Sequence, residues 1–309
     1  MLANIRKITI YALIAMSCFF MLSLTGCKDY TFSLGMLNPK GLVTYHERKL
    51  FFDTLALMLI VVIPVIIMSF AFVYHYQVSH KVRDYKPNWS HSYFLEVIWW
   101  TIPCVIIVVL AILTWKKTHE LDPYTRLPGY QDKPPMLIQA IALPWKWLFI
   151  YPEQNIATVN FLQIPIDQQV EFWITADNVA MSAFFIPQLG SQIFAMAGMR
   201  TRLHLIAEEI GTYNGLNTQY NGAGFSDMHF TVNVVQAEEM QTWIKQVKQS
   251  ALSLSDANYD NLLKPSIGDS PQYFSSVEPE LFDNVIMTYM HTFSATHPRE
   301  NNNAMIEKE

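Results

Sequence analysis

Thiol chemistry is confined to the first third of this chain, whose three cysteines are Cys18, Cys27 and Cys104. A dinuclear or blue copper site needs thiolate, because soft sulfur shares electron density with the metal. Everything after residue 104 lacks that ligand, and no disulfide framework is available to it. Beyond residue 136 there are four histidines, His204, His229, His291 and His297. No two of them stand at metal-ligand spacing, so they read as structural or surface residues. Met181, Met196, Met199 and Met228 carry thioethers that could hold Cu(I), but adaptable filler in a packed interior is the plainer reading. Trp145, Trp147 and Trp173 alternate within strand-like runs and read as interior aromatics. One acid stands apart: Glu96 opens a long apolar run, and ionised groups in or beside a membrane span are costly enough to suggest a role. A helix-end carboxylate reaching the interface is the bland alternative.

These residues sit in a chain of 309 residues, 51% hydrophobic, with a formal charge of -5 and no long basic run. That composition fits a membrane part plus one folded domain and carries no electrostatic footprint for nucleic acid. Arg6 and Lys7 precede an apolar stretch from Ile8 to Leu24, the pattern of a secretory signal over residues 1–26. Leu24-Thr25-Gly26-Cys27 resembles the bacterial lipobox, which makes Cys27 an acylated mature N-terminus at the start of a periplasmic segment, 27–49. A plain membrane helix with an incidental cysteine is the other reading.

Thr54 to Tyr74 holds no charge over about 21 positions, and Val97 to Trp115 gives a second run of about 19, each long enough to cross a hydrocarbon core of about 30 Å. Trp99, Trp100 and Trp115 stand where interfacial aromatics sit, and Pro64 and Pro103 each remove one backbone donor. Two membrane helices are expected, 50–76 and 94–115. Basic residues do not settle their orientation, since Lys81, Arg83 and Lys86 oppose Arg48, Lys49, Lys116 and Lys117. With Cys27 outside, the 77–93 loop is cytoplasmic and the chain returns to the periplasm through a linker, 116–135.

From Met136 the texture changes to short strand-like runs broken by Pro, Gly and Asn, the mark of an all-β sandwich or barrel over 136–236. Expected strands include Met136–Ile141, Trp147–Tyr151, Thr158–Leu162, Gln169–Thr175, Thr201–Ile206 and Met228–Val235. Met240, Trp243, Ile244 and Val247 recur at helical spacing and open a helical segment, 237–293. Within it, further helices are expected near Asn258–Leu263 and Glu280–Tyr289. A polar tail, 294–309, follows.

Local sequence adds a resemblance. Glu96-Val97-Ile98-Trp99-Trp100-Thr101-Ile102-Pro103 is similar to the second-helix signature of haem-copper oxidase subunit II. Trp145-Lys146-Trp147 resembles the aromatic stretch opening that family's cupredoxin domain. Phe185-Ile186-Pro187-Gln188-Leu189-Gly190-Ser191 resembles the segment after its first copper-binding histidine. The lipobox, with FFIP, LGSQIFAMAG and RTRLHLIAEE, is similar within that family to the bo-type quinol oxidases.

The resemblance implies two membrane helices followed by a cupredoxin-like Greek-key sandwich or barrel with C-terminal helices. It also locates what is missing. The family's copper pattern, Cys-x-Glu-x-Cys-x3-His-x2-Met with an earlier histidine, aligns on Gly222 and Met228. It places Asn217 and Asn221 at the cysteine positions, Gln219 at the glutamate, Phe225 at the histidine and Ser182 at the earlier histidine; only Met228 is retained. A subunit with no metal, no other cofactor and no catalytic centre of its own is implied. Its partner would be a multi-span subunit I holding haems and a copper, with subunit III and a small subunit IV. The complex would oxidise ubiquinol, reduce O2 and pump protons at the bacterial inner membrane. Glu96 would mark the cytoplasmic entrance of the proton path often called the K-channel. A stand-alone periplasmic lipoprotein with a binding or scaffold domain is the alternative; it leaves Glu96 and the tryptophan-rich second helix without a purpose.

Overall fold

The two apolar runs form two long helices. The computed structural model describes residues 35–75, 90–130, 134–179 and 181–296. Cys18, Cys27 and His297, and most of the 77–93 loop, lie outside them. Helix α1 spans Leu42–His75 and α2 spans Tyr93–Glu120. At 1.5 Å per residue, the 34 residues of α1 run about 51 Å, well beyond a hydrocarbon core. The extra length lies at the N-terminal end: α1 starts at Leu42 rather than near residue 50, because its first turns pack on the β domain, where Val43 and Thr44 are buried. Helix α2 likewise continues past Trp115 to a Lys117–Glu120 ion pair in its last turn. Neither apolar window is buried within this chain. Side chains such as Phe70 and Trp99 therefore need lipid or another protein to cover them.

The outer domain is the expected two-sheet sandwich. Its strands are β1 (Met136–Leu143), β2 (Lys146–Tyr151), β3 (Ile156–Val159), β4 (Phe161–Pro165), β5 (Val170–Ala176), β6 (Met181–Phe185), β7 (Ile193–Met196), β8 (Thr201–Leu205), β9 (Gly211–Asn217), β10 (His229–Val235) and β11 (Gln272–Phe274). One sheet has the order β11-β3-β2-β1-β5-β8 and the other β4-β10-β9-β6-β7. The run expected as a single strand over Thr158–Leu162 is two. Asn160 stands at φ +55 between β3 and β4, a left-handed conformation that asparagine tolerates, and the chain changes sheet there. Its amide closes the corner, accepting from Trp147 N at 2.9 Å and donating to Asp269 O at 3.0 Å.

Between the sheets, Trp147, Phe149, Phe172, Phe184 and Phe230 are buried together, with Phe184 and Phe230 stacked at 5.3 Å. Helix α3 (Ala237–Val247) adds Met240, Ile244 and Val247 to this core, the face expected from its periodicity. A second core lies outside the first sheet. Ile141, Leu143, Leu148, Ile150, Ala157 and Val159 are covered by Leu254, Tyr259, Leu262, Phe274, Leu281, Phe282, Val285 and Ile286. The covering residues come from helix α4 (Asp256–Leu262), β11, helix α5 (Leu281–Thr296) and their connections. Burial on both faces explains why β1 and β2 read as nearly continuous apolar runs rather than alternating ones.

The domain is tied to both membrane helices. Backbone bonds join Lys40 N to Gln188 O (2.8 Å) and Glu208 N to Lys40 O (2.9 Å), an ion pair joins Lys40 to Glu209, and Ser191 donates to the Glu47 carboxylate. The contact is close because glycines line it: a Cβ on Gly41 would stand 2.3 Å from Ile206 O, and one on Gly35 would stand 2.2 Å from Pro187 Cβ. Past α2, Leu127 enters the main core and Pro123 O accepts from His204 Nδ1 at 2.9 Å.

Candidate functional site: a thiol-free ligand loop

Three elements converge at one end of the sandwich. Strand β6 presents Ser182, the last residue of β9 is Asn217, and the loop from Thr218 to Met228 returns the chain to β10. Four of the residues that the family's copper pattern aligns, Ser182, Asn217, Asn221 and Met228, form a single hydrogen-bonded cluster. Asn217 Nδ2 and Asn221 Nδ2 donate to the same atom, Met228 Sδ, at 3.3 and 3.2 Å. Asn221 Nδ2 also donates to Ser182 Oγ at 3.1 Å, and Asn217 Nδ2 to Gln219 O at 2.9 Å. Asn217 Oδ1 accepts from Ala183 N (2.8 Å) and Gln219 N (3.1 Å). Ser182 is fully buried and Met228 is 2% exposed.

The remaining positions behave differently. Gln219 takes part through its backbone, while Phe225 turns to Tyr220, ring centroids 5.7 Å apart, within the short helical turn Phe225–Asp227. Trp145 lids the loop: its indole donates to Asn221 O at 3.3 Å and lies so close to Gly224 that a Cβ there would stand 2.5 Å from the ring. Trp145 itself sits at φ +61, a conformation costing about 1–2 kcal/mol in a non-glycine residue.

The chemistry of this donor set is that of a cross-link. It offers one hydroxyl, two carboxamides and one thioether already accepting two N–H bonds, whereas a copper pair needs bridging thiolates. The residues present do not fit a dinuclear copper centre. Among the described residues no group of three or more His, Cys, Asp or Glu could hold a metal ion.

Elsewhere the expected residues are scattered. Glu96 lies in the first turn of α2 with an exposed side chain, where a carboxylate complements the helix dipole. It is 24 residues from the C-terminal end of that helix, about 36 Å away. His204 is buried, as a structural residue, and His229 is exposed. Two expectations need correcting. Trp145 and Trp173 are only partly buried, unlike Trp147, because Trp145 sits in a hairpin turn and Trp173 faces outward beneath Arg200, whose guanidinium is 4.4 Å from its ring. Of the four methionines weighed as thioether ligands, Met228 is interior, Met181 and Met196 pair across β6 and β7 half-buried, and Met199 is exposed.

Sequence reasoning passed over two buried polar sites on the neighbouring turns. Lys146, with a side chain 3% exposed, pairs with Asp269 at 2.9 Å, and the Asp177 carboxylate accepts from Tyr259 and Tyr289. Ser266 and the Lys146 ammonium bond to the Asp269 carboxyl and outweigh its partial burial, holding it below its ordinary range. The available signal was a lysine inside an apolar strand, a residue almost never buried without a partner.

Residues 248–292 match the family described as the COX Aromatic Rich Motif. The chain is 50% identical over 270 residues to cytochrome bo(3) ubiquinol oxidase subunit 2 of Pseudomonas aeruginosa, covering 87% of this chain and 79% of the relative. It is 41% identical to the protein of that name from Buchnera aphidicola subsp. Baizongia pistaciae, covering 91% of this chain and 95% of the relative. Among solved structures, the periplasmic domain of cytochrome oxidase subunit II from Bradyrhizobium japonicum is similar with TM-score 0.36 and 20% identity, over 37% of this chain and 94% of that one.

Proposed function

This chain belongs to the quinol oxidase subunit II family, and on that premise we propose that it is the copper-free second subunit of a proton-pumping ubiquinol oxidase. The observation that carries the copper-free part is the cluster at Met228. Where a copper pair would need two thiolates, two carboxamides donate to one thioether sulfur, which supports a domain that takes no electron from a soluble donor through such a copper pair. Electrons carried by a membrane-soluble quinol need no such relay.

On this reading the redox chemistry belongs to a haem- and copper-containing subunit I, with subunit III and a small subunit IV completing the complex at the bacterial inner membrane. The apolar surfaces of α1 and α2, uncovered within this chain, supply an area for that assembly, and the outer domain caps it on the periplasmic side. Glu96, at the cytoplasmic end of α2, marks the entrance of a proton path into subunit I. Cys27 adds a lipid anchor.

Two measurements test this. The complex isolated in mild detergent should contain haem and oxidise ubiquinol; a purple copper chromophore on the outer domain, or fast oxidation of a soluble haem-bearing donor, would refute it. A colourless single chain would instead support the stand-alone lipoprotein. Glu96→Ala should slow turnover with haem content and assembly retained, and full turnover with full proton uptake in that variant would remove Glu96 from the path.

A further inference from the structure

The C-terminal segment does more than cover an apolar face. Apart from Asp269 O, which accepts from Asn160 at the β3–β4 corner, the contacts that hold its buried polar groups gather on two short turns, and both turns frame the thiol-free cluster. The first is Asp177–Asn178, between β5 and β6, a few residues before Ser182. Asp177 Oδ2 accepts from Tyr259 OH at 2.5 Å and Oδ1 from Tyr289 OH at 2.7 Å, while Asn178 N donates to Tyr289 OH at 2.8 Å. The second is the β1–β2 hairpin. Lys146, directly after the lid residue Trp145, pairs with Asp269 at 2.9 Å and donates to Lys264 O at 3.2 Å and to Ser266 Oγ. The two turns are themselves joined, since Asp177 N donates to Ala142 O at 2.9 Å.

We propose that the aromatic-rich segment, residues 248–292, is an intramolecular clasp that holds closed the turns and loop around Ser182, Asn217, Asn221 and Met228, with Asp177 and Lys146 as its two catches. The energetics favour a clasp over a passive cover. A metal centre would bind such loops through several strong bonds to one ion, whereas the hydrogen bonds here are individually modest. The catches are of the kind that resists release, because opening either leaves a buried charge without its partner. Burial raises both tyrosines above their ordinary range, so each hydroxyl stays protonated and can donate to the carboxylate. This inference rests on the contacts alone and stands whether or not the oxidase reading does.

Tyr259→Phe/Tyr289→Phe removes both donors to Asp177 while keeping the ring packing, and Lys146→Met independently opens the other catch. Amide hydrogen exchange is measured by mass spectrometry on the full chain in detergent. The proposal expects residues 217–228 to exchange about tenfold faster in both variants, with the interiors of β2 and β10 unchanged. It is overturned if residues 248–292 loosen while 217–228 keep the wild-type rate, since the segment is then only a cover. A uniform rise across the sandwich overturns it too. If Lys146→Met does not accumulate, the phenylalanine pair decides alone.

Discussion

The two asparagines that the family's copper pattern aligns with its cysteines should differ sharply when truncated. Asn217 uses both ends of its carboxamide: Oδ1 accepts from two backbone amides, Ala183 N and Gln219 N, and Nδ2 donates to Gln219 O and Met228 Sδ. Asn217→Ala therefore strands two backbone donors and one carbonyl. Each buried orphan costs about 1–3 kcal/mol, and because Gln219 is partly reachable by water the sum is about 3–5 kcal/mol. Asn221 is used at one end only. Its Nδ2 donates to Ser182 Oγ and Met228 Sδ, while its Oδ1 is buried with no partner among the described residues. Asn221→Ala loses two modest bonds but also removes an unsatisfied acceptor, for a net cost of about 0–1 kcal/mol. At about 2–4 °C per kcal/mol for a domain of this size, the domain's Tm should fall by about 6–20 °C in the first variant and by at most about 4 °C in the second. Tryptophan fluorescence melting of the purified full chain reads both, through Trp147 in the core. Equal shifts, or a larger loss for Asn221→Ala, would refute the bond assignment and with it the view of Asn217 as the loop's anchor.

Other outcomes follow from the same contacts. In Gly41→Val the new side chain collides with the Ile206 carbonyl, so the domain should part from α1 and trypsin should cut at Lys40 or Arg48 in the variant but not in wild type. Asp269 is held below its ordinary value of 3.8. Its ionised form thus contributes stability that is complete above about pH 3.8 and lost as acidification passes through the lower folded-state value. Asp269→Asn should abolish that acid-sensitive component, checked by hydrogen exchange of residues 248–292 against pH. Mass spectrometry of the mature N-terminus should find Cys27 first and acylated; an intact residue 1 would remove the anchor.

Several features were legible because they depend on local pattern. An uncharged run of about 20 residues forms a helix wherever lipid must be crossed, since only internal hydrogen bonding satisfies its backbone. The amphipathic spacing of Met240, Ile244 and Val247 and the absence of cysteine after residue 104 needed no partner to be read. The positions of Ser182, Asn217, Asn221 and Met228 came from the resemblance to the family's copper pattern, and the sandwich brings all four together. Strands β6, β7, β9 and β11 were not legible. GTYNGLN in β9 is polar and glycine-rich, a weak strand former on its own. It is a strand because β10 and β6 pair with it on either side.

What the sequence alone determined was the chain's inventory: two apolar spans, a β-rich domain and the lack of thiols in that domain. Only the tertiary structure decided how that inventory is joined. Lys146 meets Asp269, and Asp177 meets Tyr259 and Tyr289, across 82 to 123 positions of chain, a separation over which no periodicity or spacing rule reaches. Such pairs exist because the folded sheets bury those groups together, and a buried charge or hydroxyl must find whatever partner the fold sets beside it.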